Sequence, residues 1–146
     1  MSDTPTLTGQ DIGQTERAIR AVFDRFLAET RTTFDQWLTL NVLAAAESPV
    51  ERDTVLGQLT AGFRIPETTA RTSIDEVTAA DLVAATGDPV RLELLPEGTA
   101  RAQAIRHGIA QIAARLYGDL PAQDLATTHR VLATIAERAN AELAVT

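Results

Sequence analysis

The sequence predicts a mainly α-helical fold of six helices and one short β-hairpin. Alanine is abundant and β-branched runs are rare, and both features favour helices. Apolar residues recur at helical spacing in several long segments, whereas strict alternation is confined to one short stretch. The first helix, about 10–31, shows the clearest stripe, which consists of Ile19, Val22, Phe23, Phe26 and Leu27.

The second and third helices are expected to form the centre of the fold. The second, about 34–46, has apolar residues on several faces and should be buried. The third is expected to begin at Ser48-Pro49-Val50-Glu51, where serine caps, proline takes the first helical position and glutamate completes a capping box. It should run to about Ala61, and Gly62 then supplies a left-handed stop.

A fourth helix and a hairpin follow. Pro66 opens the helix, with Ile74 and Val77 facing inward. Two extended runs come next, 82–86 and 90–95, separated by Gly87-Asp88-Pro89. The second run alternates apolar and charged residues, as a half-buried strand does. Helix, turn, helix and hairpin in this order predict a winged helix-turn-helix module at 34–95.

The chain closes with two further helices. One begins at Pro96-Glu97-Gly98 and is broken at Gly118 to Pro121, and the last carries Leu125, Leu132, Ile135 and Leu143. We interpret 10–31 and 97–145 as dimerisation helices flanking the module within a single domain, 1–146. Symmetric dimers are often built from such helical layers, and the alternative is a monomer in which these helices pack on the core.

The composition excludes several function classes. There is no cysteine, so disulfides, thiolate zinc sites and cysteine nucleophiles are excluded, and all 13 positive charges are arginine. No metal-ligand spacing, phosphate loop or Gly-x-Ser-x-Gly elbow is present, so we expect neither an enzyme nor a bound cofactor or metal. No apolar run reaches the length of a membrane span, and no signal peptide is recognised, which predicts a cytoplasmic protein.

The chain resembles MarR-type winged-helix regulators from about Leu7 to Leu143. The resemblance depends on segment 37–43 in the second helix, Leu82-Val83 at the start of the wing, and segment 94–98 at its end. It implies a homodimer that binds double-stranded DNA at a pseudo-palindromic operator and is released by a small, often aromatic effector.

The sequence also departs from the family pattern. The wing loop is several residues shorter and lacks the usual Asp-Arg pair at its tip. Asp81 stands where a glycine is usual, Leu95 replaces a capping threonine, and Thr72 and Glu76 occupy positions that are often basic.

The candidate DNA-binding residues lie on the second helix of the helix-turn-helix and around it. The amino-terminal turns of this helix enter the major groove, where Arg71 could contact guanine with two hydrogen bonds. Arg52 and Arg64 are candidate phosphate contacts, and the alternative for every one of these residues is an ordinary solvated surface. The candidates are Arg52, Arg64, Thr68, Thr69, Arg71, Thr72, Ser73 and Arg91.

The resemblance also implies an effector crevice between the dimer helices and the winged module. The candidates for its wall are Arg17, Phe26, Phe34, Trp37 and His107. The alternative is that Phe26 and Trp37 belong to the core and that His107 is merely exposed.

The charge of the module supports a second functional hypothesis. Between Glu51 and Leu95 there are eight acids and four arginines, a net charge of −4. This is unfavourable for a polyanion such as DNA. The alternative is a dimeric interaction module of the same fold that acts through protein contacts, with weak or lost DNA binding.

Overall fold

The computed structural model describes residues 6–46 and 49–145, and the chain divides into two compact units at Ala110 and Gln111. The predicted mainly α fold with six helices and a small wing is confirmed in this part of the chain. The elements are α1 (Gly9–Glu29), α2 (Phe34–Ala45), β1 (Val50–Glu51), α3 (Arg52–Gly57), a π-helical turn (Gln58–Gly62), α4 (Glu67–Ala79), β2 (Val83–Thr86), β3 (Arg91–Leu94), α5 (Pro96–Tyr117) and α6 (Ala122–Ala144).

Local capping defines where α1 and α2 begin. Thr8 and Asp11 form a capping box at α1, in which each side chain accepts a hydrogen bond of 3.1 Å from the other residue's backbone N–H. Thr33 and Gln36 form the same motif at α2, at 3.1 and 3.0 Å. Because these bonds satisfy backbone donors that a helix start leaves open, both helices begin at the residue after the threonine.

Helix α2 is the centre of the first unit, as predicted. Six of its twelve residues are buried: Trp37, Leu38, Thr39, Leu40, Val42 and Leu43. The five apolar ones pack in one cluster with buried side chains of α3, α4, the sheet and the first part of α5. A helix that is apolar on several faces is stable only when other elements surround it.

The predicted start of the third helix is wrong. Pro49 is not helical, Val50 and Glu51 form β1, and α3 begins only at Arg52, where Glu51 makes no side-chain capping bond. Ser48 lies outside the described residues. The physical reason is pairing, since Val50 lies opposite Leu92 and Glu51 opposite Arg91 of β3. The Arg52 N–H extends this pairing by donating to the Val90 carbonyl, at 2.8 Å.

The end of the third helix also differs from the prediction. The helix continues through the π-helical turn to Gly62, and Gly62 is not in the left-handed region. Arg64 takes that conformation instead, with φ of 55°. The chain reverses there, and the Ile65 N–H donates to the Leu59 carbonyl at 3.2 Å.

The wing is a three-stranded antiparallel sheet with the order β1-β3-β2. The predicted hairpin joins β2 and β3 through a turn at residues 87–90, in which Gly87 has φ of 86°. On the central strand Leu92 is buried, whereas Val90, predicted to share its face, is exposed because it belongs to the turn. The prediction did not include β1.

Particular backbone features mark the two ends of the wing. Asp81 has φ of 61°, so the position where a glycine is usual does take the left-handed conformation, which aspartate tolerates better than most residues. At the other end, Gly98 packs directly on the Leu82 carbonyl, and an added Cβ would overlap that oxygen. The same carbonyl accepts a 2.9 Å hydrogen bond from the Leu95 N–H.

The second unit contains the end of α5, the break at 118–121 and α6. Helix α6 has no buried residue. Its exposed large apolar side chains are Val131, Leu132, Ile135 and Leu143. Among the residues that the structure describes, no helix is both long and apolar enough to cross a membrane.

Candidate functional site

Helix α4 has a buried inner face that fixes its orientation and an exposed outer face. The inner face consists of Ala70, Ser73, Ile74 and Val77, all buried. The outer face carries three predicted residues that are exposed, Thr68, Arg71 and Thr72, while Thr69 is half-buried at its edge. The structure therefore brings these four candidates onto one side of the helix-turn-helix.

Ser73 does not belong to the outer face, and its predicted role in DNA contact is wrong. It is 2% exposed, and its hydroxyl lies 3.0 Å from that of Thr39 in α2. Residue 73 is three positions after Ala70 and four before Val77, and this helical spacing directs it into the core. The side chain therefore joins two helices and is out of reach of an external ligand.

Two of the predicted arginines are engaged by acids of α4. Arg71 Nη2 lies 3.1 Å from Oε1 of Glu67, one turn earlier on the same helix. Arg52 Nη2 lies 3.3 Å from Oδ1 of Asp75, which ties the start of α3 to the middle of α4. Both carboxylates are well exposed, so these pairs can exchange for other partners at small energetic cost.

The other two candidate arginines lie on different elements of the module. Arg64 is exposed in the turn before α4. Arg91 is exposed on β3, directly opposite Glu51 of β1 and Thr86 of β2. Directly opposite residues point to the same side of a sheet, so an acid shares the surface of this arginine as well.

The five predicted effector residues lie in different surroundings in the described part of the chain. Trp37 is in the core. Phe26 fills the space above Gly108 of α5, where an added Cβ would overlap the ring. The ring of Phe34 is covered by the guanidinium of Arg20, 3.7 Å from its centroid. The remaining two, Arg17 and His107, are exposed.

An open cleft of about 380 Å³ lies elsewhere in the first unit. None of the five predicted residues lines it. Its apolar wall is formed by the end of α2 and by parts of β3 and α5, and its polar wall by Glu93, Thr99, Gln103 and Arg106. Arg106 Nη2 donates to Oδ1 of Asn41 at 3.2 Å, which holds the guanidinium at the rim. The cleft thus combines an apolar wall with hydroxyl, amide and guanidinium groups and one carboxylate, that of Glu93.

None of the cleft residues was among the predicted candidates, although the sequence holds a signal for three of them. Thr99, Gln103 and Arg106 are spaced four and three residues apart and therefore share one face of α5. A polar stripe of this kind is also found on ordinary solvated helices. The opposing wall comes from α2 and β3, and no local pattern places those elements beside it.

The comparisons with known proteins identify the fold. No protein-family model and no curated protein matches the sequence. Staphylococcus aureus MarR in complex with salicylate and kanamycin is 17% identical, with a TM-score of 0.78 over 91% of this chain and 90% of that chain.

Two further solved structures agree. The Mycobacterium tuberculosis MarR family protein Rv2887 in complex with DNA is 18% identical, with a TM-score of 0.70 over 91% of this chain and 98% of that chain. CouR from Rhodococcus jostii RHA1 bound to p-coumaroyl-CoA is 15% identical, with a TM-score of 0.73 over 86% and 88%. This chain has the winged-helix fold of MarR family transcription regulators.

Proposed function

We propose that the protein is a DNA-binding transcription regulator that binds a pseudo-palindromic operator as a homodimer. The observation that carries this proposal is the outer face of α4, where Thr68, Arg71 and Thr72 are exposed at the amino-terminal end of the second helix of a helix-turn-helix. Hydroxyl and guanidinium groups there suit phosphate oxygens and guanine. The similar structure of Rv2887 with DNA supports the same function.

The homodimer is part of the proposal. We propose that 10–31 and 97–145 supply the dimerisation helices and that 34–95 is the module that binds DNA. The apolar side chains of α6 support this, because Leu132 and Ile135 are 41% and 39% exposed, three residues apart on one face. A helix with such a stripe and no buried residue is stabilised when a partner covers it.

We further propose that the cleft between the end of α2, β3 and the start of α5 binds a small effector with a carboxylate. Arg106 and Gln103 would hold the carboxylate, and the apolar wall would contact the rest of the molecule. Glu93 and Leu94 both line the cleft and belong to β3, so an occupied cleft would act on the wing directly. The salicylate complex of S. aureus MarR supports this ligand class.

The ion pairs on α4 favour a second candidate function, the dimeric interaction module with weak or lost DNA binding. Arg52 and Arg71 already have acidic partners. The segment from Glu51 to Leu95 has a net charge of −4, which repels phosphates. Such a module would contact another protein through the same outer face. The two candidates differ in their response to salt and to base sequence.

The deciding experiment is a titration of the protein against its own upstream DNA at low and at physiological salt. A regulator binds saturably, resists nonspecific competitor, and loses affinity with a slope of about −0.9 per phosphate neutralised. Arg71→Ala should reduce discrimination at one base pair by about 1–3 kcal/mol. Absence of binding even at low salt would leave the interaction module as the remaining candidate.

A further inference from the structure

We propose that Glu67 and Arg71 act together as the specificity element of α4 and read two neighbouring base pairs. Arg71 would contact the guanine of one pair, and Glu67 the cytosine of the next. This inference rests on the proposed function, because it requires that the first turns of α4 enter the major groove. Glu67 would then make a favourable contact with DNA, although its negative charge by itself disfavours DNA binding.

The backbone and the core place both side chains on the reading surface. Glu67 is the first residue of α4, and Arg71 lies one turn later on the same side. Their side chains are 64% and 50% exposed. The rotation of the helix is fixed by its buried inner face, so neither side chain can turn into the core.

Side chains one turn apart on a recognition helix can contact successive base pairs, as residues −1, 3 and 6 of a zinc-finger helix do. Arg71 Nη2 and Glu67 Oε1 are 3.1 Å apart. Because guanidinium N–H groups lie in the plane of the group, the carboxylate lies beside the guanidinium, within reach of the bases next to the one that Arg71 contacts.

The hydrogen-bonding capacity of the pair is not exhausted by the contact between them. The guanidinium has five N–H donors, and a carboxylate can accept about four hydrogen bonds. The contact at 3.1 Å uses one N–H donor of Arg71 and one acceptor site of Glu67. Donors remain for O6 and N7 of guanine, and acceptor sites remain for the N4 amino group of cytosine.

The same chemistry rejects the competing bases. Adenine presents an amino donor where guanine presents O6, so it opposes the guanidinium, and thymine presents the O4 acceptor, which repels the carboxylate. A repulsive group that excludes wrong partners gives specificity at little gain in affinity. This fits the segment from Glu51 to Leu95, whose net charge of −4 disfavours contact with DNA.

The test is a selection of randomised duplex DNA by the full-length protein at low salt, followed by affinities for single base-pair variants of the selected site. The unchanged protein should require a guanine and, at the next base pair, a cytosine in each half-site. Glu67→Gln should remove the preference for cytosine, which we expect to be about 5- to 100-fold, and retain that for guanine. Arg71→Gln should remove the preference for guanine.

The matched control is Glu76→Gln, which removes the same charge from the same helix. Glu76 accepts a 3.2 Å hydrogen bond from Gln36 Nε2 and lies nine residues after Glu67, beyond the amino-terminal turns. It should raise affinity for all duplexes alike and leave the preferences unchanged.

The outcomes separate this inference from the proposed function. If the unchanged protein selects a site but Glu67→Gln behaves like Glu76→Gln, the inference is overturned and the regulator stands. In that case Glu67 and Arg71 form only a helix-stabilising pair. If the unchanged protein selects no duplex even at low salt, the proposed function itself fails.

Discussion

The hydroxyl oxygens of Thr39 and Ser73 lie 3.0 Å apart in the core of the first unit and join α2 to α4. Thr39 also donates to the Asp35 carbonyl at 3.0 Å. Since a threonine hydroxyl has one proton, Ser73 must then be the donor to Thr39. The helix proposed to read DNA is thus held to the central helix by a buried polar contact with a defined direction.

This direction predicts unequal effects on stability. Thr39→Val leaves the Ser73 hydroxyl buried without an acceptor and should cost about 1–3 kcal/mol. Ser73→Ala leaves the Thr39 bond to Asp35 intact and should cost about 1 kcal/mol or less. In the double variant, the added cost of Thr39→Val should largely disappear. Urea denaturation of all three proteins checks this, and equal single effects that simply add would contradict it.

Gly98→Ala should destabilise the attachment of the wing. The new Cβ would meet the Leu82 carbonyl, a backbone atom that cannot rotate away, so we expect a loss of about 1–3 kcal/mol. Gly57→Ala is the matched control, since its Cβ would meet nothing within 4 Å and helix propensity favours alanine. Thermal unfolding should show a lower midpoint for Gly98→Ala and an unchanged or higher one for Gly57→Ala.

Asp75→Asn should strengthen DNA binding more than removal of a charge alone would. It breaks the 3.3 Å pair with Arg52 and leaves that guanidinium available to a phosphate. We expect a severalfold gain at low salt and a salt slope steeper by about 0.9, the value for one additional phosphate contact. Asp53→Asn removes the same charge beside the same arginine. A gain of equal size and slope in both variants would mean that Arg52 contacts no phosphate.

Ile135→Asp should dissociate or aggregate the proposed homodimer. An aspartate on the apolar stripe of α6 would have to be buried without a partner. Ala133→Asp places the same charge two residues away, on another face of the helix, and should leave the dimer intact. Sedimentation velocity distinguishes the two proteins. An Ile135→Asp dimer with unchanged sedimentation would remove α6 from the interface.

Arg106→Gln should weaken the binding of salicylate, used as a probe of the cleft. Loss of a hydrogen bond between charged groups should lower affinity about tenfold or more. Arg115→Gln, on the exposed later part of α5 and outside the cleft wall, is the control. Calorimetric titration of the three proteins measures the effect. Identical affinities would place the salicylate site elsewhere.

Local sequence determined most of the helices and the hairpin. Thr8 with Asp11 and Thr33 with Gln36 cap helices through contacts three residues apart. The pair of Glu67 and Arg71, four residues apart, follows from helical spacing in the same way. Such features depend on neighbours within one turn, and the order of side chains along the chain already contains them.

Only the tertiary structure decided what depends on distant parts of the chain. Val50 and Glu51 became a strand because β3, about forty residues later, offers them hydrogen-bond partners, and this overrode a strong helix-start signal. The buried partner of Ser73 is Thr39, which lies 34 residues earlier in the chain. The cleft exists where α2, β3 and α5 meet. The sequence by itself therefore determined which elements form, and tertiary packing decided which of their side chains remain accessible, because burial and pairing depend on residues that are distant along the chain.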